Sequence, residues 1–215
     1  MTRRPSRPWT VIVPVKSTAR AKSRLRLDPA DRRRLAVAMA RDTVSAVSGA
    51  AVVGRTVLVV EEAADGVSLA TGPGIEVFLT RTAELNDAIR DGLTAPGLGP
   101  DDPVAVLPAD LPSLTPDELA QALGRAAGHR SCVVPDRAGT GTTLLTAQTP
   151  ALLHPRYGLG SFRAHVEHGA WPLRLPGRSG LRRDVDRVDD LASVTGPHTL
   201  AVLGRLGVDR PGLAG

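Results

Sequence analysis

The chain has 215 residues, a formal net charge of +5 and an isoelectric point near 10.5, with 42% hydrophobic but only 2% aromatic residues. That length suffices for one domain whose core needs no disulfide or structural metal, and the lone cysteine, Cys132, excludes an intrachain disulfide or a cysteine metal cluster and points to a reducing, cytoplasmic setting. So few aromatics leave almost no stacking platform for single strands or RNA loops, and no stretch reaches membrane-spanning length, so the basic charge points to an acidic small molecule rather than to nucleic acid or a membrane.

Residues 1 to 8 read as a flexible basic tail; the start is basic like an export signal, but the apolar run behind it is too short and has no cleavage site. Thr10 to Val15 is a β-branched, apolar run suited to a strand covered on both faces, with Pro14 tolerable near its end. It runs into a loop carrying Lys16, Arg20, Lys22 and Arg24. Among 27 basic residues these are the only two lysines, so the composition fills indifferent basic positions with arginine and reserves lysine for this loop. A compact ammonium is a point-charge phosphate binder, and in an open α/β sheet ligands bind beyond the carboxyl ends of the strands. The loop has no glycine-rich phosphate fingerprint.

Pro29 to Ser48 is predicted as a helix capped by Asp28, with Arg32, Arg33 and Arg34 on its solvated face. Thr56 to Val60 and Glu76 to Leu79 follow as strands, separated by the turn TGPG, and Glu84 to Leu93 as a short helix. Val104 to Leu107 is a strand that delivers the chain to PADLP. Thr115 caps a helix from Pro116 to about Ala127, with Glu118 completing a capping box. Ser131 to Val134 and Gly141 to Ala147 are strands, and Gly160 to Glu167 is a helix opened by Ser161. Pro172 to Leu175 and Arg183 to Val185 are short strands or extended pieces, and helices at about Asp189 to Val194 and His198 to Leu206 close the domain. Alternating strands and helices imply an α/β fold, a three-layer sandwich on a mostly parallel mixed sheet.

Three groups of residues could do chemistry. Asp110, between Pro108 and Pro112 just beyond a buried strand, suits either a divalent cation or a turn in which it bonds its own backbone. Asp184 and Asp186 are spaced by two, so an extended segment presents both carboxylates on one face while Val185 faces the core. With Asp110 they could form an oxygen site for magnesium; the other reading is ion pairing with Arg182, Arg183 or Arg187. DRAGTGTT (136 to 143) and YGLGS (157 to 161) combine glycines with hydroxyls and read as a second anion site, or else as a hairpin turn and a cap. The five histidines show no ligand spacing and are assigned to the surface or helix ends.

The segments VPVKSTARAKSRL, ELNDAI, LPADLPSL, PDRAGTGTTLL and GLGS followed by LRRDVD, in that order, resemble a nucleotidyltransferase of the nucleotide-diphospho-sugar transferase (GT-A-like) type. The nearest family is the guanylyltransferases of coenzyme F-420 biosynthesis, which act on phosphoenolpyruvate or 2-phospho-L-lactate, and the resemblance runs from Val11 to about Leu191. It implies one nucleotidyltransferase domain over 9 to 208, with 209 to 215 a tail. It implies that Lys16, Arg20, Lys22 and Arg24 hold the GTP triphosphate, with Lys16, Lys22, Arg24 and Asp110 catalytic, and that Asn86 lies near the guanine. Asp110 and Asp186 would carry Mg2+ with Asp184 beside them, and Thr143, Gly158 and Ser161 would receive the phosphorylated acid. This chain has Arg187 and Val188 where the family often has Thr-Pro. Its arginine-for-lysine bias looks actinobacterial, and in similar proteins from that group the acid is phosphoenolpyruvate. The resemblance raises hand-off of the product to the downstream F-420 transferase and leaves the oligomeric state open. The alternatives are a molybdopterin or sugar-phosphate nucleotidyltransferase, whose first loop is usually glycine-rich, and a non-catalytic basic protein that binds nucleotides or nucleic acid.

Overall fold

Every residue of Trp9–Val15 (β1) is buried, as an apolar run in the middle of a parallel sheet requires. The computed structural model describes residues 7–15 and 27–207; Lys16, Arg20, Lys22 and Arg24 lie outside the described residues, as do both ends of the chain. Beside β1 the described strands are Val53–Val60 (β2), Ile75–Leu79 (β3), Val104–Val106 (β4), Ser131–Pro135 (β5), Thr142–Ala147 (β6) and Trp171–Pro172 (β7). They form one sheet in the order β3-β2-β1-β4-β6-β5-β7. β1 pairs in parallel with β2 and β4, while β6 runs antiparallel to both its neighbours. The sheet is therefore mixed but mostly parallel, as expected.

The period of two along β1 distributes its side chains between the two faces. Val11, Val13 and Val15 join a cluster containing Val44 and Val47 of Pro29–Ser48 (α1) and Leu119 and Leu123 of Pro116–Ala126 (α4). Ile12 joins a second cluster on the opposite face, with Ile89 of Leu85–Gly92 (α3) and the partly buried Phe162 of Ser161–Glu167 (α5). Helices thus cover both faces of the sheet. The helix starts obey their sequence signals: Asp28 accepts hydrogen bonds from the Ala30 and Asp31 N–H groups, and Thr115 and Glu118 form the capping box. No described helix is long and apolar enough to cross a membrane.

Several expectations are corrected. Ala63–Leu69 forms a helix (α2) that the sequence reading did not contain, a short one with Gly66 at its centre. α5 opens at Ser161 as expected, with Gly160, at φ 71°, as its cap. Arg183 to Val185 forms no strand, and the helix expected at about Asp189 to Val194 is a 3-10 helix, Val188–Ser193. The edge strand near residue 172 shrinks to Trp171–Pro172.

A third, smaller core holds the C-terminal segment in place. Val185, Leu191 and Val194 bury against Leu35 and Met39 of α1 and Leu203 of Pro197–Arg205 (α6). The buried Asp42 of α1 accepts hydrogen bonds from the His198 and Thr199 N–H groups at the start of α6. Two glycines let this segment approach the loop after β4: a Cβ on Gly180 would stand 1.9 Å from the Ser113 carbonyl oxygen, and one on Gly196 would stand 2.2 Å from that of Pro112. Because the obstacle at Gly180 is backbone, Gly180→Ala is expected to lower the unfolding free energy by about 2–3 kcal/mol. Urea denaturation measures this, and an unchanged midpoint and slope would contradict the contact.

Candidate active site

β1, β4 and β5 all end on the side of the sheet where the antiparallel β6 begins, so the loops that follow β4 and β5 share one side of the molecule with the end of β1. The loop after β4 carries Asp110. Its main chain is fixed from two directions: the Leu111 N–H donates to Thr43 Oγ1 of α1 at 3.0 Å, and the Asp110 carbonyl accepts from the Val185 N–H at 3.1 Å. Val185 turns into the core, as its alternation with two acids predicts, and Asp184 and Asp186 flank it. Asp184 thereby lies within electrostatic reach of both Asp110 and Asp186. The Asp184 carboxyl is pushed up to about 7, first by burial and then by the negative charges of Asp110, Asp186 and Asp136. Beside this group opens a cavity of about 660 Å³ whose wall includes Asp136, Arg137, Arg183, Asp184, Asp186 and Arg187. Among the described residues no three His, Cys, Asp or Glu side chains are grouped so as to hold a metal ion.

Asp136 was not singled out from the sequence, yet it shapes the turn between β5 and β6. Its carboxylate accepts from the Thr140 N–H at 2.9 Å and the Gly141 N–H at 2.8 Å. A Cβ at Gly141 would meet Asp136 Oδ2 at 2.5 Å, so a larger residue there would push the carboxylate off these two N–H groups. Arg182 spans from the C-terminal segment to the base of this turn, donating to the carbonyls of Pro135, Asp136 and Leu175. DRAGTG is thus a braced hairpin turn. It leads into Thr142 and Thr143, both buried, and Thr143 Oγ1 faces the Val134 carbonyl at 3.5 Å.

Ser161 joins this turn. Its hydroxyl donates to Thr142 Oγ1 at 3.2 Å, and the following N–H, on Phe162, donates to the Thr140 carbonyl. Thr143 and Ser161 thus stand on two segments tied to one another, and Gly158, at φ 142°, lies in the loop leading to Ser161. Asn86, expected near a base, instead pairs with the main chain of that loop. Its Nδ2 donates to the Tyr157 carbonyl at 2.9 Å, and its Oδ1 accepts from the Tyr157 N–H at 2.7 Å.

One histidine contradicts its surface assignment. His165 is 1% exposed, and both ring nitrogens have partners. The Arg156 N–H can only donate, so Nε2, 2.9 Å away, must be the bare nitrogen. The proton of the neutral ring then sits on Nδ1, 3.0 Å from Thr142 Oγ1. Burial pushes the ring down to about 4, with the nearby Arg156 and His168 adding to the effect against a hydrogen bond to the Ser161 main-chain carbonyl that opposes it. A histidine on a helix of alternating polar and apolar residues carries no mark of such burial in the sequence; only the partners brought by β6 and the 156 to 161 loop reveal it.

A family model described as guanylyl transferase CofC like matches residues 9–171. A phosphoenolpyruvate guanylyltransferase of Streptomyces coelicolor is 42% identical over 92% of this chain and 97% of its own length. One of Salinispora arenicola is 44% identical, covering 91% and 94%. Among solved structures, a candidate nucleotide-diphospho-sugar transferase of Desulfovibrio desulfuricans superposes with a TM-score of 0.69 at 16% identity, over 93% of this chain and 95% of that one. The Rv0371c protein of Mycobacterium tuberculosis in complex with manganese gives 0.57 at 19% identity, over 86% and 95%. These structures show the fold, a nucleotide-diphospho-sugar transferase-like α/β sandwich.

The neutral, buried His165 makes stability depend on acid. Above the ordinary histidine pKa both folded and unfolded chains hold the ring neutral. Below it the unfolded chain takes up a proton that the folded one refuses until about pH 4, so stability falls as pH falls through that window. Between pH 7 and 4, the protein should lose about 3 kcal/mol more than the His165→Gln variant does. Parallel pH profiles in urea denaturation would contradict the buried neutral ring.

Proposed function

The chain belongs to the CofC-like guanylyl transferase family, and from that membership we propose that it transfers GMP from GTP to phosphoenolpyruvate, releasing pyrophosphate and forming enolpyruvoyl-2-diphospho-5'-guanosine for coenzyme F-420 biosynthesis. The observation that carries the site reading is the gathering, at one sheet edge, of the end of β1, the Asp110–Val185 junction and the braced β5–β6 turn.

The chemistry fits a site without an evident general base. The phosphate of phosphoenolpyruvate is largely dianionic at neutral pH, with its second pKa at about 6, so its oxygen can attack the α-phosphorus of GTP without losing a proton first. The bond from that phosphorus to the bridging oxygen breaks, and pyrophosphate leaves with the electron pair. The protein must hold two anions in line and neutralise charge on the leaving group. The second task falls to Lys16, Arg20, Lys22 and Arg24, which follow directly on the end of β1. Thr143, Gly158 and Ser161 receive the acid.

Asp110 and Asp186, with Asp184 beside them, are the residues that would hold a divalent cation, magnesium in the simplest case. Asp184 is raised first by burial and then by the charges of Asp110, Asp186 and Asp136, and that second part supports this reading, since like charges so placed are relieved by a nearby cation. Two carboxylates suffice for an ion that takes its remaining ligands from water and phosphate. When bound, the ion supplies charge neutralisation and alignment for the GTP phosphates. The test is Asp110→Asn, assayed by pyrophosphate release from GTP and phosphoenolpyruvate. Turnover is expected to fall about a hundredfold or more while the melting temperature stays within roughly 3 °C of the wild type. Loss of stability in proportion to activity would return Asp110 to a purely structural turn.

A further inference from the structure

We infer that Asn86 and His165 are positioning residues that hold the Arg156–Ser161 loop in the shape that receives the phosphorylated acid, so that Asn86 serves the acid rather than the guanine. The inference rests on the proposed function, in which Gly158 and Ser161 belong to the acid site.

The loop cannot hold this shape by itself. Gly158 and Gly160 have φ of 142° and 71°, and a Cβ on either would meet nothing within 4 Å. Backbone conformation, not crowding, therefore demands glycine at both positions, and glycine carries the largest conformational freedom into the unfolded state. Leu159 between them is fully exposed, so no side chain at the apex buries itself to fix the loop.

What fixes it comes from outside. On the approach to the apex, two consecutive N–H groups are each met by a side chain from a helix: Arg156 by His165 Nε2 of α5 at 2.9 Å, and Tyr157 by Asn86 Oδ1 of α3 at 2.7 Å. Asn86 also takes the Tyr157 carbonyl, so its amide pairs with the loop as a neighbouring strand would. Beyond the apex, Ser161 is tied to Thr142, whose hydroxyl oxygen also lies 3.0 Å from the other ring nitrogen of His165. One neutral imidazole thus holds the loop at Arg156 directly and at Ser161 through Thr142. The Tyr157 ring stands edge-on to it with centroids 5.2 Å apart, filling the space beneath. The paired edge of the Asn86 amide is taken up by Tyr157, so a guanine could meet both amide atoms along that edge only by displacing the loop; the remaining N–H and lone pair face away from each other.

The experiment is steady-state kinetics of pyrophosphate release with GTP and phosphoenolpyruvate varied separately, on Asn86→Ala, His165→Leu and His165→Gln. Folding of each is checked by circular dichroism. In the first two variants KM for phosphoenolpyruvate is expected to rise about tenfold or more while KM for GTP moves by less than about twofold. Preference for GTP over ITP, which lacks the exocyclic amino group, should be retained. His165→Gln, whose side-chain carbonyl can replace Nε2 as acceptor, should recover most of the affinity for the acid. Should Asn86→Ala fail to fold, Asn86→Asp keeps the acceptor for the Tyr157 N–H, loses the donor to its carbonyl, and carries the same comparison. Unchanged KM for phosphoenolpyruvate, an equal rise in KM for GTP, or lost discrimination against ITP would overturn the inference while leaving the proposed function standing. A wild-type enzyme that releases no pyrophosphate with phosphoenolpyruvate would defeat the proposed function itself, and the inference with it.

Discussion

A single main-chain hydrogen bond, from the Val185 N–H to the Asp110 carbonyl, joins the loop after β4 to a segment close to the end of the described chain. It brings Asp184 within electrostatic reach of Asp110 and Asp186 while partly burying it, and burial and like charge both oppose its ionisation. Raising a carboxyl from its ordinary range to about 7, as at Asp184, corresponds to a penalty on the order of 4 kcal/mol for ionising it in place. The arrangement survives because apolar burial holds it. Val185, Leu191 and Val194 insert between α1 and α6, and fully burying one such side chain is worth about 1.5–3 kcal/mol. Gly180 and Gly196 remove the side chains that would keep the segment away. An acidic cluster held together by neighbouring packing is a preorganised one, whose repulsion is offset in the fold and relieved when positive charge arrives.

The fold was legible where burial and period dominate. β1 is buried throughout, as its unbroken apolar run requires, and Asp28 and Thr115 cap the helices their positions announce. Asp184, Val185 and Asp186 were legible too, since their alternation places Val185 in the core, although the backbone there is not a strand. What escaped depends on partners far away in sequence. His165 is buried because Thr142 and the Arg156 N–H satisfy its two nitrogens, and nothing local to α5 encodes that. Asn86 reads as a polar residue in the first turn of a helix, while its function in the fold is fixed by Tyr157. Asp136 looks like any turn acid until the two N–H groups that follow it are seen to converge on its carboxylate. The helix α2 was missed because Gly66 at its centre lowers local propensity, and packing overrides that cost: a Cβ there would stand 2.4 Å from Val77.

The two halves of the proposed reaction make different demands on this architecture. The metal and triphosphate side needs charge, and the described structure contributes carboxylates there while the sequence supplies four cations immediately after β1. The acid side needs shape, because phosphoenolpyruvate, 2-phospho-L-lactate and 3-phospho-D-glycerate share a phosphate and a carboxylate and differ only around their central carbons. Shape is provided by a glycine loop clamped at both ends, with neutral groups rather than ions as its fasteners. A neutral imidazole suits that position, since a charged one could not accept from the Arg156 N–H.

The most direct measurement is pyrophosphate release from GTP and Mg2+ with each of those three acids in turn, with the deazaflavin acceptor and its transferase present to draw off the product. Turnover is expected with phosphoenolpyruvate, and a markedly lower kcat/KM with the other two. Preference for another of the acids would contradict the substrate assignment, and release with none of them, despite tight binding of GTP, would contradict the proposed reaction altogether.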